Sequence, residues 1–434
     1  MKKLRLSLLV FTLFASFTFV HAQRETRLAI LMKADGPIMP PMLEYFKRGI
    51  EIAQQRDAEV LIVELNTPGG SLDTMLEIIQ VIDDSKVPVV IYVYPNEAIA
   101  GSAGALITMA GQASAMAPKT AIGAASPIDS SGDDIQETLE KKIKAVLKAK
   151  VRTMTKDRGA EAVKLAEEMI DEARAVTADE ALDAGLIDFI SDDTEDLLQS
   201  LDGFTVQTDG EPRKLQTSDI EVQPLNISLI EQLLLTLTDP NIVFLLLAIG
   251  LVSILIELSS PGGWVAGFIG VTCLTLAIYA MGLLSINWFG LIFLVIAFVL
   301  FILDIKAPSH GALTAAGVAS FIVGALVLFN SPGTPQFQRV SVPLVVGMGV
   351  FIGLIFFVML IFVLRAQHGR VQTGSEILPG KSGIVKTFHG ETGQVQVESE
   401  LWSAERAKNS EAISKGDFIE VVEVRGLRLI VRKK

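Results

Sequence analysis

The chain has 434 residues, half of them hydrophobic, and a formal net charge of −12 at pH 7. This length exceeds one ordinary domain, and the apolar content is higher than that of a soluble protein of this size. The acidic balance argues against a nucleic-acid-binding protein. The single cysteine, Cys273, lies in an apolar run, so a disulfide-stabilised fold is excluded as well.

The first residues have the composition of a secretory signal. Lys2, Lys3 and Arg5 precede an apolar run, which ends in a small-x-small pattern over residues 20–22. We therefore predict a signal peptide over residues 1–22, with an uncleaved signal anchor as the alternative. In both cases the segment that follows is expected to be exported.

Residues 24–200 alternate between apolar strands and amphipathic stretches. The runs LAILMK, VLIVEL and VPVVIYVY are separated by helical stretches of ten or more residues. Near-continuous apolar strands with crossover helices are typical of a buried, largely parallel sheet, so we predict one α/β domain here. Residues 201–240 are expected to form a polar linker over 203–222, followed by an apolar segment over 227–237. That segment is too short to span a membrane and is expected to lie at its surface.

Residues 241–366 are predicted to form a membrane domain. They carry only five charged side chains: Glu257, Asp304, Lys306, Arg339 and Arg365. Five helical spans are expected, at 241–258, 264–284, 287–303, 311–330 and 342–364. Five spans after an exported domain predict a multi-pass protein of the inner cell membrane with a cytoplasmic C-terminus. The positive charges of Lys306 and Arg365 agree with this orientation, whereas Arg339 disagrees.

The membrane block contains an internal repeat with an offset of 47 residues. In each copy a carboxylate, Glu257 or Asp304, precedes a proline, and a glycine in the next span follows, Gly270 or Gly317. This pattern predicts duplicated helical hairpins. The two carboxylates could form an intramembrane site or cap helix ends near water. We favour caps, because both residues lie at span ends.

Residues 377–434 contain short alternating stretches, such as QVQVE and FIEVVEV, separated by glycines. This pattern predicts a small all-β domain, similar in size to an OB fold. Scattered aromatic residues and the lack of a basic stripe argue against nucleic-acid binding. A role in protein contacts is therefore favoured.

The α/β domain that follows the signal peptide contains no histidine and no cysteine. A Ser-His-Asp triad, a cysteine nucleophile and a histidine-based zinc site are therefore excluded there. A lysine or a carboxylate remains as the general base of any catalytic site. We expect neither a metal nor another cofactor.

Two turns of small residues between a strand and a helix are candidates for a catalytic site. Gly69 and Gly70, in the run NTPGG, can turn their backbone N–H groups toward an oxyanion. Ser102, in the run AIAGSAG, is a candidate acylating hydroxyl with small neighbours. On spacing alone, a tight turn and a helix N-cap serine explain these segments equally well or better.

A serine nucleophile without histidine needs another base, and a buried lysine can serve when desolvation keeps it neutral. On a helical projection of residues 136–158, Lys142 borders the apolar stripe and Lys150 falls within it. Three further lysines point away from this stripe: Lys141, Lys144 and Lys148. Spacing leaves Lys142 and Lys150 as alternatives, and a solvated basic helix is the third interpretation.

Taken together, these motifs resemble the NfeD family of membrane serine proteases. The resemblance rests on the NTPGG turn, the AGSAG segment, the run from Met116 to Pro127, the lysine-bearing helix and VTADEALDAGLID at 176–188. It continues through the carboxylate-x3-proline hairpins and the glycine-rich C-terminal domain with Trp402, and thus covers nearly the whole mature chain. One departure is Asn66, at a position where the family commonly has aspartate.

The resemblance implies a Clp-protease/crotonase-type domain related to signal peptide peptidase A, with a Ser-Lys dyad. It implies that Ser102 is the nucleophile, that Lys142 is the base, and that Gly69 and Gly70 form the oxyanion hole. The implied activity is that of a serine endopeptidase that cleaves a hydrophobic segment of a stomatin-like or prohibitin-like membrane partner. A homo-oligomer in contact with membrane lipid is expected. The alternatives are a crotonase-like acyl-CoA enzyme and a non-catalytic membrane scaffold for the same partners.

Overall fold

A six-stranded parallel sheet forms the centre of the N-terminal part of the protein. The computed structural model describes residues 27–127, 137–259, 262–306, 311–332, 334–367 and 377–434, so the predicted signal peptide lies outside the described residues. The strands are β1 (Leu28–Asp35), β2 (Val60–Asn66), β3 (Val89–Val93), β5 (Ala113–Met116), β8 (Phe189–Ile190) and β11 (Glu221–Leu225). Their order in the sheet is β11-β1-β2-β3-β5-β8. The central strands are buried on both faces, as their continuous apolar sequences predict.

Helices cover both faces of this sheet. They are α1 (Pro40–Gln55), α2 (Leu72–Asp83), α3 (Ala103–Ala110), α4 (Glu137–Thr155), α5 (Ala160–Asp171), α6 (Ala178–Asp183) and α7 (Thr194–Leu201). The apolar side chains of α1 to α6 form one core layer, and α7 packs on the opposite face. A smaller sheet consists of β4 (Ile99–Gly101), β6 (Ala121–Gly123) and β7 (Ala175–Thr177). The prediction of an α/β fold with crossover helices is confirmed.

Residues 203–225 differ from the linker expected there. They form the hairpin of β9 (Thr205–Thr208) and β10 (Glu211–Lys214), followed by β11, which pairs in parallel with β1 at the edge of the main sheet. An edge strand exposes most of its side chains, so β11 carries polar residues and lacks the apolar run that marks a buried strand. The α/β domain therefore extends beyond residue 200.

A short helix, α8 (Leu229–Thr236), connects this domain to the membrane helices and is held against α1 by a partly buried ion pair. Arg48 donates two hydrogen bonds to the Glu231 carboxylate, from Nε at 2.8 Å and from Nη2 at 2.7 Å. Ser228 and Glu231 also form a capping box at the start of the helix. Burial raises the pKa of the Glu231 carboxyl, but the hydrogen bonds from Arg48 and Ser228 outweigh burial and leave its pKa below the ordinary value.

We expect the docking of α8 to weaken at acidic pH. Because the pKa of Glu231 is lower in the folded state than in an unfolded chain, its stabilising contribution is complete above about pH 4.5 and is lost as the pH falls through the lowered pKa. Hydrogen exchange of residues 229–236, corrected for intrinsic rates, should show declining protection over this interval. In Glu231→Gln the protection should be lower and insensitive to acid. Equal pH profiles for the two proteins would contradict this expectation.

Five apolar helices follow α8 at the positions of the five predicted spans. They are α9 (Pro240–Ser259), α10 (Val265–Met281), α11 (Phe289–Lys306), α12 (Ala312–Phe329) and α13 (Val342–Gln367). Among the described residues, α9 and α12 have the length and apolar composition needed to cross a membrane, and the other three contain shorter apolar stretches.

The pairs α9–α10 and α11–α12 are structurally equivalent hairpins, in agreement with the predicted repeat. A Cβ atom on Gly270 would lie 2.8 Å from the Ile254 side chain, and one on Gly317 would lie 2.8 Å from the Phe301 ring. These two contacts are related by the same offset of 47 residues. Each glycine therefore allows its helix to approach the preceding helix of its hairpin closely.

The carboxylates Glu257 and Asp304 both bond to the helix that follows them, and Glu257 caps α10, as favoured from the sequence. Glu257 accepts backbone N–H groups at 3.3–3.4 Å from the turn and first residues of α10: Gly262, Trp264 and Gly267. Asp304 accepts a hydrogen bond from the Thr314 hydroxyl in the first turn of α12. A carboxylate at a helix N-terminus is stabilised by the unpaired N–H groups and by the helix dipole.

The C-terminal residues form a closed five-stranded barrel, which confirms the predicted small all-β domain. Its strands are β12 (Ser382–His389), β13 (Thr392–Val397), β14 (Glu400–Arg406), β15 (Phe418–Arg425) and β16 (Arg428–Lys433), in the order β12-β13-β14-β16-β15. Alternate residues of each strand point into a core of mostly valine, leucine and isoleucine side chains. Closure of the barrel leaves no unpaired strand edge.

Candidate active site

Ser102 lies in the sharp turn between β4 and α3, immediately before the first residue of that helix. Its backbone has φ +50° and ψ −110°, a conformation that costs about 1–3 kcal/mol for a residue with a side chain. The Ser102 N–H donates to the Gly123 carbonyl at 2.8 Å, which holds the turn in place. A strained serine at a strand-to-helix turn is the arrangement that presents a nucleophilic hydroxyl in many hydrolases.

The turn that follows β2 at the carboxyl end of the main sheet contacts Ser102 directly. Gly69 has φ +119°, and a Cβ atom at this position would lie 2.8 Å from the Ser102 Cβ. The Gly69 N–H donates to Thr67 Oγ1 at 3.1 Å. Gly69 therefore allows the close approach of the turn to Ser102, while its N–H group is already engaged within the turn.

Gly70 occupies a different environment from its neighbour. It pairs with Ile38 through two hydrogen bonds, from the Ile38 N–H to the Gly69 carbonyl and from the Ser71 N–H to the Ile38 carbonyl, both at 2.8 Å. Neither bond uses the Gly70 N–H group. Gly70 also lines the groove beside Ser102, so of the two glycines it is the candidate for an oxyanion donor.

The small residues on either side of Ser102 are required by close backbone packing. A Cβ atom on Gly104 would lie 2.5 Å from Thr67 Cγ2, and one on Gly101 would lie 3.0 Å from the Pro68 carbonyl oxygen. Thr67 also pairs with Ala100 in a parallel bridge. The NTPGG and AGSAG segments, found separately in the sequence, therefore form one packed unit.

The Asn66 side chain links this unit to a neighbouring strand. Its amide nitrogen donates to Asp35 Oδ1 at 3.1 Å, and its amide oxygen accepts from the Ile99 N–H at 3.1 Å. An aspartate here could not donate to Asp35, so the amide suits this pair of partners. The departure from the common family residue is thus accommodated by the hydrogen bonds of this chain.

A groove of about 90 Å³ opens in front of Ser102. Its walls come from α2, α3, α4 and the segment after β6, and are mostly apolar: Gly70, Leu72, Met75, Ser102, Ala103, Leu106, Ala125, Ser126, Pro127, Ile143 and Leu147. The second serine of the groove, Ser126, donates its hydroxyl proton to the Ile170 carbonyl at 2.7 Å. The groove can accept an aliphatic side chain next to the Ser102 hydroxyl.

Ala103 is a candidate site residue that the sequence reasoning did not select. It is the first residue of α3 and lines the groove. The first N–H groups of a helix have no partner within the helix, and the residue after a nucleophilic serine commonly supplies an oxyanion donor. Its position immediately after the candidate nucleophile, at a predicted helix start, was the signal that could have identified it.

The structure does not bring Lys142 into contact with Ser102. Lys142 is exposed near the start of α4, one residue before the groove-lining Ile143. Across the described parts of the chain, no hydrogen bond or ion pair joins Lys142 to Ser102. Catalytic hydrogen bonds often form only in the substrate complex, when the bound peptide brings the two groups together.

Other lysines of α4 are paired with carboxylates. Lys150 lies 3.8 Å from Asp83 at the end of α2, and Lys148 lies 2.5 Å from Asp171 on α5. The hydrogen bond to Asp171 raises the pKa of Lys148. Lys150 thus has an ion-pair partner away from the groove, which weakens its candidacy as the base.

Comparison with known families agrees with the three parts of the structure. Residues 36–208 match the N-terminal domain of NfeD1b, residues 241–362 match the NfeD integral membrane domain, and residues 375–433 match the NfeD-like C-terminal, partner-binding domain. The matched ranges together cover most of the chain.

Two relatives match this chain over nearly its whole length. The chain is 33% identical to the membrane-bound protease PH1510 of Pyrococcus horikoshii, over 99% of this chain and 98% of that protein. It is 25% identical to the membrane protein NfeD1b of Bacillus subtilis, over 95% and 94% of the two chains. A solved structure of the Pyrococcus horikoshii 1510-N membrane protease, specific for a stomatin homolog, covers 49% of this chain and 99% of its own, with 33% identity and a TM-score of 0.43.

The match to PH1510 supports a peptidase role and a location in a membrane. It extends through the α/β domain, the membrane helices and the barrel, because nearly the full length of both chains is aligned. The resemblance found in the sequence is therefore confirmed, and the chain belongs to the NfeD family.

Proposed function

We propose that this protein is a membrane-anchored serine endopeptidase in which Ser102 is the nucleophile. The observation that carries the proposal is the strained Ser102 turn, packed against the Gly69–Gly70 turn and opening onto an apolar groove. The 33% identity to a membrane-bound protease over nearly the whole chain supports the same reaction class.

In the proposed reaction, the Ser102 hydroxyl attacks the carbonyl carbon of a peptide bond held in the groove. Lys142 takes the hydroxyl proton and later gives it to the leaving amine. The N–H groups of Gly70 and Ala103 donate to the oxyanion of the tetrahedral intermediate. The resulting acyl-enzyme is resolved by water. Gly69, expected from the sequence to be a second donor, is assigned the role of holding the turn close to Ser102.

The substrate proposed is a hydrophobic segment of a membrane-associated, stomatin-like protein. The groove walls are mostly apolar, which suits aliphatic side chains on the substrate. The Pyrococcus horikoshii relative is described as specific for a stomatin homolog, and the C-terminal barrel matches a partner-binding domain. A non-catalytic scaffold that binds the same partner is the alternative function.

Covalent labelling of the full chain in detergent or nanodiscs with a fluorophosphonate tests this proposal. We expect a phosphonyl adduct on Ser102, because an activated serine displaces fluoride from the reagent. Ser126→Ala is the matched control, since this serine lines the same groove but donates to a carbonyl, and labelling should persist in it. Ser102→Ala should abolish both the labelling and the cleavage of a stomatin-like partner.

The scaffold alternative makes a different prediction for the same proteins. Labelling would be absent from the wild-type chain, and partner processing in Ser102→Ala cells would equal that of the wild type. Binding of the partner would be retained in both. That combination would overturn the protease assignment.

A further inference from the structure

The short helix α8 turns its apolar side chains away from the protein. The side chains of Leu229, Ile230 and Leu233 are 90%, 72% and 58% exposed. On a helical wheel these three residues fall within about 100° of one another. A surface helix of a water-soluble domain places such an apolar stripe against the core, so the orientation of α8 is inverted.

The opposite face of α8 is fixed to the α/β domain. Glu231 is 7% exposed and receives both hydrogen bonds from Arg48 on α1, which also donates to the Asn226 carbonyl at 2.9 Å. Leu235, on the same inner face, packs against the core layer of α1 to α6. Rolling the helix to hide its leucines would separate this ion pair and leave the Glu231 carboxylate without its partner.

The exposed stripe lies close to the membrane domain along the chain. Helix α8 ends at Thr236 and α9 begins at Pro240. Four residue steps span at most about 14 Å, so the stripe lies near the end of a helix that belongs to the membrane domain. Two of the three residues between them are packed, since Leu237 and Thr238 are each 5% exposed, whereas Asp239 is exposed. The junction therefore has little freedom to carry α8 away from the bilayer surface.

We propose that α8 is an interfacial helix whose Leu229, Ile230 and Leu233 enter the bilayer boundary on the side of the α/β domain. Lipid is favoured over a second copy of the chain. A stable protein–protein interface buries roughly 800 Å² on each partner, and three side chains cannot supply that area. Lipid is also favoured because α8 directly precedes α9, a helix long and apolar enough to cross a membrane.

This placement sets the position of the groove relative to the membrane, and this consequence rests on the proposed protease function. Helix α1, which holds α8, lies in the same core layer as α2, α3 and α4, whose residues form the groove. One packed layer of helices therefore connects the lipid-facing α8 to Ser102, and the Arg48–Glu231 ion pair fixes α8 to this layer. The enzyme is expected to cut its substrate at a fixed distance from the bilayer surface.

Site-specific fluorescence in nanodiscs tests the lipid contact independently of catalysis. Cys273→Ser removes the single cysteine of the chain, and Leu233→Cys or Ile230→Cys then accepts an environment-sensitive NBD label. The matched control is Gln232→Cys, on the polar flank of the same helix. We expect lipids spin-labelled near the headgroup to quench the labels at 233 and 230 at least about two-fold more than the label at 232.

Two results would overturn the lipid assignment. A label at 233 that is as water-exposed and as weakly quenched as the label at 232 would show that the face stays in solvent. A label that is shielded from water but insensitive to the spin-labelled lipids would show that a protein covers it.

The effect on cleavage is measured separately with Leu229→Glu/Leu233→Glu. This variant should cleave a short soluble peptide as the wild type does, while cleavage of a membrane-inserted substrate falls several-fold or shifts along the substrate. If the wild type cleaves neither substrate, the protease proposal fails, although the lipid contact can still be established by fluorescence. Unchanged cleavage of the inserted substrate would contradict the positioning role.

Discussion

Replacing Lys142 by alanine is expected to lower kcat/KM for peptide cleavage by about 10²–10⁴-fold, the usual contribution of a general base. Without a base, the Ser102 hydroxyl keeps its proton and attacks the peptide carbonyl slowly. Lys142→Arg should cause a comparable loss, because a guanidinium keeps length and charge but is not deprotonated in proteins. The measurement is steady-state cleavage of a fluorogenic peptide with an aliphatic residue before the cleaved bond.

Lys150→Ala is the matched control for this experiment. It removes the same side chain from the same helix, but Lys150 pairs with Asp83 rather than facing the groove. We expect its kcat/KM to stay within about three-fold of the wild-type value, as for a surface ion pair. Equal losses in Lys142→Ala and Lys150→Ala would mean that α4 is merely destabilised. A large loss of kcat/KM in Lys150→Ala alone would identify Lys150, and not Lys142, as the general base.

The separation of Lys142 from Ser102 has a structural origin in the faces of α4. Leu147 and Val151 are buried and fix the inner face of the helix, and Ile143 lines the groove. Lys142 precedes Ile143 by one residue and is therefore rotated by about 100° from it. A substrate that fills the groove between α3 and α4 would contact the flank of α4 where Lys142 lies. Peptide binding is thus the step at which we expect the dyad to form.

The fold was predictable where a sequence pattern is compatible with a single kind of element, as for continuous apolar runs and for the 47-residue repeat. The runs VLIVEL and VPVVIYVY are buried strands, since residues that are apolar at every position suit a sheet covered on both faces. The 47-residue repeat identified the two hairpins for a similar reason, because a glycine is needed at each close helix contact. The edge strand β11 was missed, since its exposed side chains follow no apolar pattern.

The site was less predictable, because its residues are selected by contacts between distant segments. Gly69 and Gly70 are indistinguishable as a glycine pair in the sequence. They differ only because Thr67 takes the N–H of the first, while Ile38, about thirty residues earlier, pairs beside the second. The spacing likewise left Lys142 and Lys150 as alternatives, because no periodicity reveals that Asp83 lies beside Lys150.

Gly70→Ala is expected to have the second large effect, on both activity and stability. A Cβ atom at this position would lie 2.1 Å from the Ile38 carbonyl oxygen and 2.6 Å from the Ile38 backbone nitrogen and carbonyl carbon. All three neighbours are backbone atoms, so the bridge between Gly70 and Ile38 must open. In the proposed oxyanion hole the Gly70 N–H is then displaced, and loss of one oxyanion donor lowers kcat by about 10²–10³-fold. Overpacking of this kind also costs about 1–3 kcal/mol of stability.

A glycine with free space provides the control for this substitution. Gly263→Ala places the same methyl group where nothing lies within 4 Å and where φ is in the ordinary range, so thermal unfolding and kcat should match the wild type. Fluorophosphonate labelling of Ser102 separates the two effects of Gly70→Ala. If Gly70→Ala still folds but is labelled and turns over slowly, the variant has lost the oxyanion donor. If it no longer melts cooperatively, the variant has lost the folded turn around Ser102. Wild-type kcat in a folded Gly70→Ala chain would remove Gly70 from the oxyanion hole and leave Ala103 as the remaining candidate donor.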